Sequence, residues 1–221
     1  MLSMRKGKYN MNNNVNVINN AGKDVVVTVN NNEGNIQIII DLAGGQVELS
    51  SLKPGQTFSK NGVDYIVLNK LENDTAVIRK DLLADKIFDS DSNNWRTSSL
   101  RKYLNKEYLN KLEKDFGKEN ITTHEIDLLS LDGLADYGVS EDKVSLLTID
   151  QYRTYRKVLG ENKDRAWWLI TPDSTPSGVN ASCVQCVCSD GDVDYGDCRW
   201  GGRAVRPFFI LRSSILVSKS K

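Results

Sequence analysis

Short runs of apolar residues alternate with polar residues over the first 50 positions of the chain. The runs are VNVI at 15–18, VVVTV at 25–29 and IQIII at 36–40, and the spacers between them are rich in Asn and Gly. This pattern predicts short β-strands joined by tight turns. Because so small a module buries little apolar surface, we expect residues 1–50 to pack on their own copy or on the next domain. We predict that they form a β-rich attachment or oligomerisation module.

From residue 51 the pattern predicts a second domain, which begins with a β-meander. The segment FSKNGVDYIVLNKLENDTAVIRK contains an Asn61-Gly62 turn, a strand that extends through Val67, a turn at 72–74 and a strand at 76–79. Asn-Gly between apolar runs is a strong hairpin signal. We therefore predict antiparallel strands here.

Two helices are predicted between the β-rich ends of this domain. Residues 95–116 have apolar side chains at helical spacing, an N-cap at Thr97 or Ser98 and a break near Asn105. The second helix is capped by Thr148 and is expected to end at Gly160. The segment AWWLITP then predicts a buried strand, and further strands follow to AVRPFFIL. The fold class predicted for residues 51–221 is α+β, with two main helices and antiparallel sheets.

Composition and charge narrow the classes of partner that the protein is expected to bind. The chain has 221 residues, of which 39% are hydrophobic and 26% charged, and Lys+Arg and Asp+Glu both total 29. A balanced charge gives no basic field to attract nucleic acid. No apolar run approaches the roughly 20 residues that span a bilayer, and no apolar segment follows the basic start as in a signal peptide. We expect synthesis in the cytoplasm, without nucleic-acid binding or membrane insertion.

Catalytic motifs are sparse. The one histidine, His124, has no nucleophile signature beside it, and no GxSxG, GxGxxG or Walker-type loop occurs. We interpret His124 as a structural residue, and Trp95, Trp167 and Trp168 as core aromatic residues, since their neighbours are strongly apolar. No catalytic residue is therefore predicted.

All four cysteines fall within residues 183–198, in the pattern C-x2-C-x-C-x9-C. Structural zinc sites usually take C-x2–4-C pairs at both ends, and the second pair is missing here. A reducing cytoplasm disfavours a disulfide. A catalytic thiol needs basic neighbours, and only Arg199 stands beside these cysteines. Zinc, a disulfide and a catalytic pair are all disfavoured.

The residues around the cysteines follow a different rule. Valines recur at regular positions, and between them stand Ser, Cys, Asp, Tyr, Gly and Arg in no hydrophobic or charge pattern. An asparagine codon altered only at its adenines encodes those six residue types, but never Lys, Glu, Gln, Met or Trp. A mutational origin fits this composition better than a structural demand. Gln185 and Trp200 lie outside the set, so they are fixed positions or come from other adenine-containing codons.

Four segments resemble bacterial and phage domains with a C-type-lectin-like fold, which are related in fold to the formylglycine-generating enzyme. The segments are WRTSSLRKYLN at 95–105, VSLLTIDQY at 144–152, WWLITP at 167–172 and DGDV…AVRPFFIL ending at 211. The last is similar to the variable region of proteins diversified by retroelements, in which adenine-directed mutagenesis rewrites a set of codons. The resemblance covers roughly residues 52–211.

The resemblance implies that an apolar frame holds the fold while variable side chains, at about 181–205, line an exposed binding surface. The frame would be Val184, Val187, Val193, Val205, Arg206 and Pro207. The surface would be Ser182, Cys183, Gln185, Cys186, Cys188, Asp194, Tyr195, Asp197, Cys198, Arg199, Trp200 and Arg203. Tyr, Trp and Arg commonly dominate binding at interfaces.

The function implied is non-enzymatic recognition of a macromolecule, such as a cell-surface or host protein, by an adhesin or receptor-recognition protein. Neither calcium nor sugar dependence is expected, because the acidic calcium-binding tripeptides of animal lectins are missing, and no other metal or cofactor is predicted. Attachment through residues 1–50 would place the protein on a virion or join it into a homo-oligomer. Two alternatives stay open: a thiol or copper oxidase like the formylglycine-generating enzyme, and a structural phage component.

Overall fold

The computed structural model describes residues 25–32, 35–42, 46–160 and 165–220. The chain divides into two compact units, Met1–Gly45 and Gln46–Lys221. This division falls slightly before residue 50, where the sequence predicted it. The reason is that Gln46–Glu48 forms a strand that pairs with Leu216–Lys219 in the second unit.

The first unit contains an antiparallel hairpin of β1 (Val25–Asn32) and β2 (Asn35–Leu42). In its register Val25 lies opposite Leu42, and Asn32 lies opposite Asn35. The predicted strands at 25–29 and 36–40 are confirmed and are longer than expected. The strand predicted at 15–18 lies outside the described residues.

The second unit is built on an eight-stranded antiparallel sheet. Its strands are β3 (Gln46–Glu48), β4 (Thr57–Lys60), β5 (Val63–Lys70), β6 (Asp74–Arg79), β7 (Ile121–Thr122), β10 (Val144–Ser145), β14 (Phe208–Arg212) and β15 (Leu216–Lys219). The spatial order is β10-β14-β6-β5-β4-β15-β3, with β7 paired to β14. The predicted meander is confirmed in β4, β5 and β6, and Asn61 and Gly62 form its first turn with positive φ.

Two smaller antiparallel sheets complete this unit. One is the hairpin of β8 (His124–Asp127) and β9 (Val139–Asp142), and the other contains β11 (Trp167–Pro172), β12 (Cys183–Val187) and β13 (Val193–Asp197). Every residue of β11 is buried. Alternate side chains of this strand enter two different apolar clusters, Trp168 one and Trp167 the other. This sheet therefore separates two parts of the core.

The first predicted helix is an uninterrupted helical run in three segments: α1 (Ser99–Tyr103), a π-helical turn (Leu104–Tyr108) and α2 (Leu109–Phe116). Ser98 is the N-cap, because its Oγ accepts the Arg101 N–H at 3.1 Å. The break expected near Asn105 is the π-helical turn. Asn105 Oδ1 accepts the backbone N–H groups of Lys143 and Val144, at 3.2 and 3.1 Å. This side chain fixes the irregular turn against β10.

The second predicted helix is α3 (Ile149–Tyr155), and its start is confirmed. Thr148 Oγ1 accepts the Gln151 N–H at 3.1 Å, while Gln151 Oε1 accepts the Thr148 N–H at 2.9 Å. These reciprocal bonds form a capping box. The predicted end at Gly160 is wrong, because the chain leaves the helix after Tyr155 through a turn closed by the Val158 N–H and Tyr155 O.

The aromatic residues assigned to the core are buried, with Trp95 and Trp167 each 1% exposed and Trp168 fully buried. His124 is half-buried. Its Nε2 lies 2.9 Å from Ser145 Oγ, and its ring packs edge-on against Phe208. Burial lowers the pKa of His124 to about 4, so the ring is neutral at pH 7. The α+β prediction is confirmed, and His124 lies in a structural setting.

Candidate functional site

Most residues of the predicted binding surface lie on the β12–β13 hairpin and the turn that follows it. The strands pair with Cys183 opposite Asp197 and Gln185 opposite Tyr195. The Cys188 N–H donates to Asp192 O at 2.7 Å and closes the hairpin. Because β12 lies between β11 and β13 in the three-stranded sheet, β13 is the outer strand.

The outer position of β13 exposes several large side chains. Tyr195 and Trp200 are 52% and 55% exposed, and Asp194 and Arg199 are also exposed. Five further predicted residues around them are half-buried. The hairpin surface is the set of these nine residues: Ser182, Cys183, Cys188, Asp194, Tyr195, Asp197, Arg199, Trp200 and Arg203.

Three predicted surface residues lie in the interior, so their assignment to an exposed surface is wrong. Gln185 is 2% exposed, and Cys186 and Cys198 are fully buried in the larger apolar cluster. Gln185 and Cys186 are buried because both faces of β12 are covered: Cys186 packs in one apolar cluster, and Val187, on the same face as Gln185, packs in the other. The Gln185 Nε2 donates to Asp173 Oδ1 at 2.9 Å. This specific hydrogen bond is consistent with Gln185 being a fixed position, since Gln is not among the residue types that altered asparagine codons encode.

The predicted frame is found largely where it was expected. Val184 and Val205 are fully buried, and Val187, Arg206 and Pro207 are also buried. Val193 is the exception, because it lies on the outer strand and is half-buried. The frame residues and the hairpin surface therefore alternate along the same stretch of chain.

Backbone hydrogen bonds attach the end of this stretch to residues 83–89. Cys198 O accepts the N–H groups of Phe88 and Asp89, at 2.9 and 3.1 Å. The Lys86 N–H donates to Arg203 O at 3.0 Å, and the Leu83 N–H donates to Val205 O at 2.8 Å. None of these bonds uses a side chain. The path of the backbone below the hairpin surface is therefore independent of the side chains at those positions.

A buried asparagine that sequence reasoning missed supports the start of β12. Asn93 is fully buried, and its Nδ2 donates to Cys183 O at 2.9 Å and to Ser174 O at 2.8 Å. Tyr137 OH donates to Asn93 Oδ1 at 2.6 Å. Asn93 lies in an Asn-rich polar stretch, SDSNNW, so nothing local marks it as buried. It is a positioning residue for the hairpin.

The hairpin surface carries one ion pair and one cation–aromatic contact. Arg199 forms a two-point pair with Asp197, with Nε–Oδ1 at 2.7 Å and Nη2–Oδ2 at 2.5 Å. The Arg199 guanidinium lowers the pKa of Asp197 to about 2. The Arg203 guanidinium carbon lies 5.7 Å from the centre of the Trp200 ring. Together they present aromatic, cationic and anionic groups side by side, which suits recognition of a polar macromolecular surface.

The four cysteines are free thiols. Burial raises the pKa of each thiol, to about 11 for Cys198. Each group is therefore protonated at pH 7, and a protonated thiol is a poor nucleophile and metal ligand. Across the residues that the structure describes, no group of three or more His, Cys, Asp or Glu side chains is placed to hold a metal ion.

No family model, curated protein or solved structure matches this chain. The resemblance to C-type-lectin-like variable proteins therefore rests on the four quoted segments and stays an expectation. Within the described ranges, no helix is long and apolar enough to cross a membrane.

A cleft of about 720 Å³ lies beside the hairpin turn and was not predicted from the sequence. Its lining comes from α3 and the residues that follow it, from β11, from the end of β12 and the hairpin turn, and from Arg206. The lining residues are Tyr152, Arg156, Lys157, Leu159, Gly160, Trp167, Val187, Cys188, Ser189, Asp190, Gly191 and Arg206. No local motif indicates this cleft, because separate segments of the chain form it.

Proposed function

We propose that this chain is a non-enzymatic ligand-binding protein whose hairpin surface recognises a macromolecule, such as a cell-surface or host protein. One observation carries the proposal: exposed, chemically diverse side chains stand on a backbone that is held by main-chain bonds and a buried apolar frame. Asp194, Tyr195, Arg199 and Trp200 are exposed, whereas Val184 and Val205 beneath them are fully buried.

This division between surface and frame is what a diversified binding site requires. Exchange of an exposed side chain leaves the main-chain bonds to Cys198 O and Arg203 O in place, because those bonds come from the backbone of residues 86–89. Surface substitutions away from such contacts usually change stability by about 0.5 kcal/mol or less. The hairpin surface can therefore accept many side chains. Because its residue types are largely those that altered asparagine codons encode, we include in the proposal a retroelement that rewrites these codons by adenine-directed mutagenesis.

The proposed fold of Gln46–Lys221 is C-type-lectin-like, and the positions of the quoted segments support it. WRTSSLRKYLN forms a short 3-10 turn, α1 and the start of the π-helical turn, and WWLITP is β11. The segment AVRPFFIL leads from the hairpin surface into β14. In this proposal the unit that contains β1 and β2 attaches the protein to a virion, a partner or a second copy.

The oxidase alternative is not favoured by the cysteines. That chemistry needs a reactive thiol pair, for which Cys186 and Cys188 are the candidates, and burial raises the pKa of both thiols. Cys186 is fully buried and Cys188 is half-buried. We therefore propose no catalytic residue and no cofactor for this protein.

The DNA on either side of the gene tests the diversification. We expect a near-copy of the segment that encodes residues 181–205 beside a reverse-transcriptase gene, and the two sequences should differ mainly where the copy has adenine. Substitutions should fall on the codons of the hairpin surface and spare those of Val184, Gln185 and Val205. A flanking sequence without such a copy would remove the reason to regard these positions as variable. Genes for virion parts alone would favour a structural phage component instead.

A triple variant tests the binding surface. Replacement of Tyr195, Arg199 and Trp200 by Ala should abolish binding to the macromolecule that the full chain captures, because it removes the large aromatic and cationic groups. The matched control replaces Leu71 and Leu216, which are also exposed but lie on the eight-stranded sheet, and it should bind normally. Equal binding by both variants would place the binding surface elsewhere.

A further inference from the structure

The base of the cleft contains a buried cation that the hairpin surface does not use. Arg206 is 2% exposed. Its Nε donates to Arg79 O at 3.0 Å, and its Nη2 donates to Lys80 O and Leu159 O at 3.2 and 3.1 Å. Its guanidinium carbon lies 5.4 Å from the centre of the Trp167 ring. Backbone carbonyls and an aromatic face therefore surround this charge.

No described carboxylate forms an ion pair with Arg206, and the charge of Asp81 acts on it only from beyond ion-pair distance. Burial lowers the pKa of Arg206 to about 10, yet the group stays charged at pH 7. A buried charge usually has an ionic partner or contacts a bound ion, because carbonyl dipoles offset only part of the cost of desolvation. The base of the cleft is therefore a place where an anion would be stabilised.

The rim of the cleft adds two more cations. Arg156 and Lys157 follow α3 and are exposed. The Arg156 guanidinium carbon lies 5.7 Å from the centre of the Tyr152 ring. Tyr152 OH donates to Gly191 O at 2.7 Å, so the phenol joins the helix to the hairpin turn. This bond holds the two walls of the cleft together.

The lining has one carboxylate in its described part, that of Asp190. Asp190 Oδ1 accepts the Asp192 N–H at 3.0 Å within the hairpin turn. Among the described lining residues, the cations Arg156, Lys157 and Arg206 therefore outnumber this carboxylate. Trp167, Leu159 and Val187 add apolar atoms to the lining, and the volume of about 720 Å³ is that of a small-molecule site.

We propose that this cleft binds a small organic oxyanion, a carboxylate or a phosphate ester, with an apolar face. Arg156 and Lys157 bind the charged group at the rim, while Arg206 below contributes a favourable potential. Trp167 and Leu159 contact the apolar part of the ligand. The site goes beyond the proposed function, because it uses none of the exposed aromatic residues of the hairpin surface. It is a second binding site, whether or not that surface binds a macromolecule.

The experiment measures binding of four probes to the full chain: phenyl phosphate, benzoate, inorganic phosphate and benzyl alcohol. Tryptophan fluorescence and calorimetry report the affinity. We expect phenyl phosphate and benzoate to bind more tightly than inorganic phosphate, which has no apolar face, and benzyl alcohol not to bind. The ratio of phenyl phosphate to benzoate affinity distinguishes the two oxyanions. Binding should weaken as salt concentration rises.

Arg156→Gln and Arg153→Gln form a matched pair for this test. Both remove one exposed cation near the end of the same helix, but Arg153 pairs with Asp150 and does not line the cleft. Arg156→Gln should weaken binding of phenyl phosphate about tenfold, the effect of losing one charge contact at partial exposure. Arg153→Gln should leave it unchanged. Arg153 and Arg156 are both exposed, so neither substitution should prevent folding. Arg206→Gln is avoided because Arg206 is buried and its loss would endanger the fold.

Three results would overturn this assignment. They are equal weakening by Arg153→Gln and Arg156→Gln, equal affinity for benzyl alcohol and phenyl phosphate, and no binding of any anion up to about 10 mM, where even weak sites fill. The triple variant of Tyr195, Arg199 and Trp200 should keep its affinity for phenyl phosphate. The cleft and the hairpin surface can therefore fail independently.

Discussion

Replacement of Gly196 by Ala should destabilise the protein through contact with one tryptophan. Gly196 lies in β13, and its φ is outside the left-handed region, so alanine brings no backbone strain. A Cβ atom there would lie 3.1 and 3.2 Å from Cη2 and Cζ3 of Trp168. Both distances are shorter than ordinary van der Waals contact. Trp168 cannot readily move away, because it is fully buried and its Nε1 donates to Lys86 O at 2.8 Å.

The magnitude follows from two opposing terms. Overpacking of a rigid core site costs about 1–3 kcal/mol. The loss of a glycine restricts the unfolded chain and returns about 0.4–1 kcal/mol. We therefore expect Gly196→Ala to lower the free energy of unfolding by about 1–2 kcal/mol. Gly202→Ala is the matched control, because a Cβ at residue 202 meets nothing within 4 Å. It should be neutral or slightly stabilising.

Urea denaturation of five chains tests the cause as well as the size: the wild type, Gly196→Ala, Trp168→Phe, their double variant and Gly202→Ala. Trp168→Phe removes the outer ring that contains Cη2 and Cζ3, so Gly196→Ala should cost about 1 kcal/mol less in that background. The dependence of the unfolding free energy on urea should stay constant across the set. A Gly196→Ala variant as stable as Gly202→Ala would contradict the predicted clash with Trp168. An equal cost with Phe at residue 168 would contradict it as well.

Two further predictions concern buried groups. Burial lowers the pKa of His124 from 6.5 to about 4, so the unfolded chain takes up this proton first as the pH falls. The resulting loss of stability, absent above pH 6.5, should reach about 2 kcal/mol at pH 4.5. Urea denaturation at pH 7 and pH 4.5 should show that loss in the wild type and not in His124→Gln. An equal loss of unfolding free energy in both proteins would contradict the assignment to His124. The thiols of Cys183 and Cys188 are half-buried, whereas those of Cys186 and Cys198 are fully buried. Brief treatment with a thiol reagent, followed by mass spectrometry, should label the first pair in the native protein and all four in urea. Labelling of Cys198 in the native protein as fast as that of Cys183 and Cys188 would show that Cys198 is not buried.

The elements that were predictable from the sequence are those set by local chemistry. The Asn61-Gly62 turn imposes positive φ, and the capping box of Thr148 and Gln151 fixes the start of α3. Asn105 was recognised as an irregularity in its helix, although its bonds to the backbone of Lys143 and Val144 come from a distant segment. Local signals therefore predict where the elements lie better than they predict the tertiary contacts between them.

The site was only partly predictable, because burial of a strand depends on what packs on its two faces. Alternate side chains of β12 point to opposite faces of the sheet, and the sequence does not show that both faces are covered, Cys186 entering one apolar cluster and Val187 the other. Gln185, Cys186 and Cys198 were consequently assigned to the surface, whereas they are buried. The cleft depends on contacts such as Tyr152 OH to Gly191 O, which join residues far apart in the chain. Such contacts leave no periodic pattern in the sequence.

The central claim is that the exposed residues of the hairpin surface contribute little to the fold. The free energy of unfolding of the triple variant, in which Tyr195, Arg199 and Trp200 are replaced by Ala, tests it most directly. We expect a loss below about 1.5 kcal/mol, because the side chains are exposed and the Arg199–Asp197 pair lies at the surface. Leu169→Ala, in the fully buried strand β11, should lose about 2–5 kcal/mol. A triple variant as unstable as Leu169→Ala would contradict the account.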